Sequence, residues 1–123
     1  INPIFNETST TKIYTPLYTL PLHNALPIYN QAISINPNDA EGYNNRGVVY
    51  VKKGDYDKAV SDYNKVIEIN PKHASAYKNL IIAYFYKHEY DKAWENVRKA
   101  KQLGATIDPE VLEALTKASK REK

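Results

Sequence analysis

The chain has 123 residues, 42% of them hydrophobic, with 17 Lys and Arg against 14 Asp and Glu and a net charge of +3. The charges are interspersed except at Lys117, Lys120, Arg121 and Lys123, which read as a solvated helix end, so the continuous basic face of a nucleic-acid binder is absent and no nucleic-acid partner is expected. With no Cys there is neither a disulfide framework nor a thiolate metal site, and without a run of about 18 apolar residues no membrane span is expected.

Residues 1–28 show no helical or strand period. Pro3, Pro16, Pro21 and Pro27 interrupt a Thr-rich stretch, so a non-repeat segment is expected there, with residues 1–24 poorly ordered. Asn6 to Ile28 resembles the in-frame translation of a short-read sequencing adapter. Its departures at Glu7, Ser9, Lys12, Pro21 and Asn24 are each one base change from that oligonucleotide, which implies a segment of artefactual origin. No basic stretch followed by an apolar one marks a secretory leader. A cytoplasmic location is the resulting expectation.

From Tyr29 onward a repeat is plain. Tyr43, Tyr50, Tyr56 and Ala59 recur as Tyr77, Tyr84, Tyr90 and Ala93, each displaced by 34. The run from Tyr29 to Pro37 aligns with Tyr63 to Pro71 at the same displacement. Residues 29–39 therefore read as the second helix of a truncated unit, whose open face around Tyr29, Ile33 and Ile35 lacks a partner. Pro27 is expected in the first turn of that helix.

The unit at 40–73 reads as two amphipathic helices. The first runs from about Ala40 to Lys53, with Tyr43, Gly47, Val48, Tyr50 and Val51 at helical spacing. Gly54 supplies the left-handed position that ends it, and Asp55 is a candidate N-cap for the second. Tyr56, Ala59, Val60, Tyr63, Val66 and Ile67 form the next stripe, which Asn70-Pro71 stops. Gly47 and Ala59 permit close backbone approach, with Tyr rings filling the space around them. With 11 Tyr against 2 Phe and 1 Trp, the core suits a thin layer in which rings are buried and hydroxyls stay wet.

A second unit spans 74–105. Residues 106–123 read as a capping helix opened by Asp108, Pro109 and Glu110, with Val111, Leu112, Leu115 and Ala118 as its apolar stripe.

Tyr43, Gly47, Tyr50, Ala59, Tyr63, Val66 and Pro71 match the marker residues of the tetratricopeptide repeat family, which this chain resembles from about Tyr29 to Leu103. Arg46 departs where the family usually has Leu. In the next unit Tyr77, Leu80, Tyr84, Ala93 and Ala100 match, whereas Ile81 replaces the Gly and Val97 the aromatic. The resemblance implies an all-α superhelix of antiparallel hairpins that holds a protein or peptide partner. In such arrays the first helix of each hairpin lines a groove. The corresponding residues here are Glu41, Asn44, Asn45, Val48, Val51 and Lys52, then Ser75, Lys78, Asn79, Ile82, Phe85 and Tyr86. Asn amides can bond a ligand backbone as both donor and acceptor, and Phe85 with Tyr86 offers an apolar anchor. The competing reading has the Asn solvated and the aromatics packed on the capping helix.

One class of the family clamps chaperone C-termini with Lys and Asn from successive repeats. Asn45 matches that pattern, but Ser75 and Asn79 stand where it has Lys and Arg. Catalysis has no support, because His23, His73 and His88 make no metal or triad spacing and no phosphate-binding Gly-rich loop exists. A binding module without enzymatic activity, cofactor or metal is expected. The alternative is a structural piece of a longer array that stacks on other repeats or self-associates through its first helix.

Overall fold

The computed structural model describes residues 22–120. Among these residues it has helices and no strand: α1 (Leu22–Ile35), α2 (Ala40–Lys53), α3 (Tyr56–Ile69), α4 (Ala74–Tyr86), α5 (Tyr90–Gln102) and α6 (Pro109–Ser119). Each helix packs against the next, and α2 also touches α4. Thus α2–α3 and α4–α5 are successive hairpins, preceded by α1 and closed by α6. The fold is an all-α helical repeat, as the 34-residue period predicts.

The turns repeat as faithfully as the helices. Gly54, His88 and Gly104 all adopt the left-handed conformation, with φ of 84°, 62° and 85°. Beside each, an N–H closes back over the helix end: Asp55 to the Tyr50 carbonyl at 2.8 Å, Glu89 to Tyr84 at 2.9 Å and Ala105 to Ala100 at 3.0 Å. This is the closure that satisfies carbonyls orphaned at a helix C-terminus. Between hairpins, Asn36 and Asn70 each accept the N–H two residues on, from Asn38 and Lys72, at 3.1 Å. Their side chains thereby shape the Asn-Pro turns. Asp55 sits at the N-cap of α3, but its side chain makes no capping bond. The N–H of Ala59 instead reaches the Asp55 backbone carbonyl at 3.1 Å.

Helices approach closely where small residues meet large ones. Ala59 and Ala93 are fully buried, and Tyr63 is 1% exposed. A Cβ added to Gly47 would lie 2.5 Å from Cε1 of Tyr63, so the ring occupies the space a larger residue would need. In the second hairpin the same two positions hold Ile81 and Val97, both buried in one core cluster. The two departures from the repeat pattern are therefore one exchange, in which volume lost on one helix returns on its partner. Close-packed interiors require such compensation.

Helix α1 begins at Leu22, ahead of the Tyr29 boundary read from the sequence. Pro27 accordingly lies inside the helix and not in its first turn, and one intrahelical donor is lost there. Burial accounts for the extension: Ala25 and Tyr29, each 1% exposed, pack with Val49 of α2. Ala25 is thus in register with Ala59 and Ala93 in structure as well as in sequence. The face expected to be open around Tyr29, Ile33 and Ile35 is mostly closed, because Tyr29 and Ile33 are buried and only Ile35 stands out, 77% exposed. Residues 1–21, which include most of the adapter-like segment and most of the stretch expected to lack order, lie outside the described residues.

At the far end, Asp108 caps α6 by accepting the Glu110 N–H at 2.9 Å, with Pro109 in the first turn. Leu115 is fully buried against Val97 and Ala100. Trp94 of α5 donates its ring N–H to Ser119 Oγ at 3.1 Å, and Ser119 in turn donates to the Leu115 carbonyl at 2.7 Å. Helix α6 is therefore latched by apolar burial and by a hydrogen-bonded tryptophan.

Candidate functional site

The first helices of the two hairpins, α2 and α4, are joined by a pair of side-chain links. Asn79 donates an amide N–H to the side-chain oxygen of Asn44 at 3.0 Å. His73 Nε2 meets Glu41 Oε2 at 3.0 Å, while its Nδ1 accepts the Ala76 N–H at 3.3 Å and caps α4. An Nδ1 that accepts leaves the ring proton on Nε2, which then donates to the carboxylate. Although His73 stands in the turn between hairpins, only 14% of its side chain is exposed. Its dual role as cap and cross-helix link holds it in place.

The Asn pair has capacity left over. With one amide hydrogen of Asn79 and one lone pair of Asn44 used, Asn44 retains its N–H groups and Asn79 its carbonyl. A peptide backbone presents the matching donor and acceptor. Of the other residues expected to line this face, Asn45, Val48, Val51 and Ile82 are half-buried, while Lys52, Ser75 and Lys78 are exposed. Val48 and Val51 pack against the core of Ala59, Tyr63, Leu80 and Ala83, so part of their surface belongs to the fold.

Toward α6 the surface becomes aromatic. Tyr86 is 50% exposed, stacks on Tyr56 with ring centroids 5.3 Å apart and an interplanar angle of 9°, and meets Phe85 edge-on at 5.4 Å. Ile82, Phe85 and Tyr86 join Asp108, Glu110, Val111 and Ala114 around a cleft of about 180 Å³. Sequence reasoning found the α4 wall of this cleft and missed the α6 wall. Asp108 and Glu110 signalled a helix start, and their second use depends on how α6 stacks beside α4.

The charged residue that breaks the repeat pattern serves the scaffold. Arg46 donates from Nε to one oxygen of Asp62 at 2.8 Å and from Nη2 to the other at 2.7 Å. Its Nη1 reaches Asn30 Oδ1 of α1 at 2.8 Å. The guanidinium also lies over the Tyr43 and Tyr50 rings, 5.6 Å and 5.7 Å from their centroids, so one side chain links α1, α2 and α3. Its hydrogen bonds to Asp62 hold the Arg46 guanidinium above its usual range, against the opposing effect of burial. Burial, helped by nearby Asp62, pushes the Tyr63 phenol up.

A chain of surface charges joins the hairpins at their turns. Lys87 pairs with Asp57 and, at 3.4 Å, with Glu89, which meets Lys92 at 3.1 Å. The Lys92 hydrogen bond, followed by Lys87, holds the Glu89 carboxyl below the usual carboxylate range despite some desolvation. His88 Nδ1 lies 2.8 Å from the Tyr90 hydroxyl. Among the described residues no group of His, Cys, Asp and Glu has the arrangement of a metal site. None of their helices is long and apolar enough to cross a membrane.

Known proteins share this arrangement. A tetratricopeptide repeat model matches residues 40–73 and a second TPR repeat model matches residues 22–54, the latter reaching back to the start of α1. Among solved structures the chain is similar to the TPR2B domain of yeast Sti1 in its pHsp70 complex, at 31% identity and a TM-score of 0.71, covering 80% of this chain and 83% of that one. It is also similar to the TPR2AB domain of yeast Sti1 in its pHSP90 complex, at 31% identity and a TM-score of 0.70, covering 80% of this chain but 40% of that one. The Sgt2 TPR domain from Aspergillus fumigatus matches at 26% identity and a TM-score of 0.71, over 80% of this chain and 66% of that one. A repeat of this period, these markers and these neighbours leads to one assignment: the chain belongs to the tetratricopeptide repeat family.

Proposed function

We propose that the chain is a protein-interaction module, without catalytic activity, whose α2–α4 face receives an extended peptide or a partner helix. The observation that carries the reading is the Asn79–Asn44 hydrogen bond at 3.0 Å. It fixes two amides on neighbouring helices and leaves a donor on one and an acceptor on the other. The exposed Tyr86, about two turns further along α4, supplies the rigid aromatic surface that anchors interfaces. The Sti1 domains in their pHsp70 and pHSP90 complexes support a peptide as the kind of ligand. Ser75 and Asn79 differ from the cations of the chaperone-clamping class, so the partner's chemistry is set by this chain's own groove.

The test is a peptide selected against the chain from a displayed random library. Asn44→Ala/Asn79→Ala removes both partners of one hydrogen bond and orphans neither, so stability stays nearly unchanged. Loss of two hydrogen bonds to the ligand weakens binding about tenfold or more. Undiminished binding by the folded double variant sinks the assignment.

A second reading draws on the exposed apolar residues of α1, Ile28 at 38% and Ile35 at 77%. In that reading the chain stacks through α1 on further repeats or on a second copy. Light scattering over a wide concentration range separates them: a monomer throughout counts against stacking, and association abolished by Ile35→Lys supports it.

A further inference from the structure

The cleft between α4 and α6 has a shape and a charge of its own. At about 180 Å³ it is smaller than the roughly 300–1,000 Å³ of small-molecule pockets, so it is sized for a side chain and not for a cofactor. Ile82, Phe85, Val111 and Ala114 give it apolar walls, while Asp108 and Glu110 stand beside them. One Asp108 oxygen takes the Glu110 N–H. Neither carboxylate forms an ion pair with a described residue. Lys87, at the end of α4, is already held by Asp57 and Glu89. The cleft is thus an apolar hole whose rim carries two carboxylates that no cation of the described residues pairs.

We infer that this cleft is a subsite for one apolar side chain of a partner peptide, followed or preceded by Lys or Arg. The inference rests on reading α2–α4 as the peptide-receiving face and adds the chemistry of one end of the ligand. An aliphatic side chain displaces water from the walls. The adjacent cation meets Asp108 and Glu110, and an acidic neighbour in its place is repelled. Ile82 lies about one helical turn from Asn79 along α4 and also lines the cleft, with Tyr86 braced by its stack on Tyr56 at the cleft's other edge, so a single extended strand can reach both.

The experiment titrates the isotope-labelled full chain with synthetic Gly/Ser peptides identical except for Leu-Arg or Leu-Glu at the centre, and follows backbone and Asn side-chain amides by NMR. The Leu-Arg peptide is expected to shift the amides of Tyr86, Val111 and Ala114 and to bind about fivefold more tightly than Leu-Glu, the worth of an exposed ion pair. The difference shrinks at about 1 M salt, where exposed charges are screened within about 3 Å. Glu110→Lys reverses the order of the two peptides. Ala114→Phe, at an exposed position, fills the cleft and removes the α6 shifts while those of Asn44 and Asn79 persist. Shifts at Asn44 and Asn79 with none at α6, or equal binding of the two peptides, overturn the subsite and leave the groove reading standing. Silence at both places overturns both. Shifts at Tyr86 and Ala114 that grow with protein concentration alone show a second copy on the cleft and likewise overturn the subsite.

Discussion

Arg46 grips both oxygens of Asp62, at 2.8 Å and 2.7 Å, from a helix position where the following repeat carries Leu80, and Leu80 is itself buried. The residue equivalent to Asp62 is Asn96, whose amide turns back to the Lys92 carbonyl of its own helix at 2.8 Å. The two hairpins therefore solve one packing position in two ways, by an ion pair and by an apolar residue with a self-satisfied amide.

Removing one member of the pair leaves a charge stranded. Asp62 is 5% exposed at its side chain and Arg46 20%, so Asp62→Ala is expected to cost about 3 kcal/mol, the lower end for a broken buried pair. Arg46→Leu/Asp62→Asn, which copies the second hairpin, is expected to regain most of that loss. Urea denaturation of the three proteins measures it. A double variant as unstable as Asp62→Ala shows that the two solutions are not interchangeable.

His88 holds φ at 62° where the ends of α2 and α5 use Gly54 and Gly104. A non-glycine residue there carries about 1 kcal/mol or more of strain. His88→Gly is accordingly expected to stabilise the chain by about 1 kcal/mol, less what its contact with Tyr90 contributes. Thermal denaturation reads the sign directly, and a lower midpoint for the variant contradicts the strain.

Alkaline pH is expected to unfold the chain through its buried phenols. Burial raises Tyr63, as it does Tyr29, above the ordinary value of 10.0. The unfolded chain ionises these groups first, so unfolding releases protons. The stabilisation is full below about pH 10 and is lost as pH rises through the folded-state values. Each group contributes a slope of up to about 1.4 kcal/mol per pH unit. Denaturation in urea between pH 9 and 12 should show Tyr63→Phe falling less steeply than the parent, and parallel curves would assign the loss to other groups.

Trp94 is the single tryptophan of the chain, and its ring N–H is bonded to Ser119 of α6. Its fluorescence therefore reports the docking of that helix. Leu115→Ala empties a fully buried site and is expected to cost about 3 kcal/mol. The Trp94 emission of this variant should shift red at lower urea than the loss of helix seen by circular dichroism. Coincident transitions would mean that α6 unfolds only with the rest.

The period, the turns and the cap were legible in the sequence because each rests on local chemistry. Gly54, Asn70-Pro71 and Asp108-Pro109 act on backbone within a few residues of themselves, and α2 has the bounds that its apolar stripe predicts. The start of α1 was not legible, since Pro27 argues against a helix locally while Ala25 and Tyr29 act through burial against Val49. The candidate site divides in the same way. Asn44, Asn79 and the α4 aromatics follow from register along a helix, whereas the stacking of Tyr56 on Tyr86 and the approach of Asp108 to Ile82 are set by how separate helices stack. Arg46 was visible as an irregularity, and Asp62 explains it only when α2 lies against α3.

The exchange of Gly47 and Tyr63 for Ile81 and Val97 determines what recombination of such an array can tolerate. A chimera pairing the first helix of one hairpin with the second helix of the other would set Gly47 against Val97, or Ile81 against Tyr63. The former junction is hollow and the latter collides, with a side chain already excluded at 2.5 Å from Cβ to ring. Whole hairpins can be duplicated, shuffled or deleted without disturbing this fit, while single helices cannot. The heritable module of this chain is the pair.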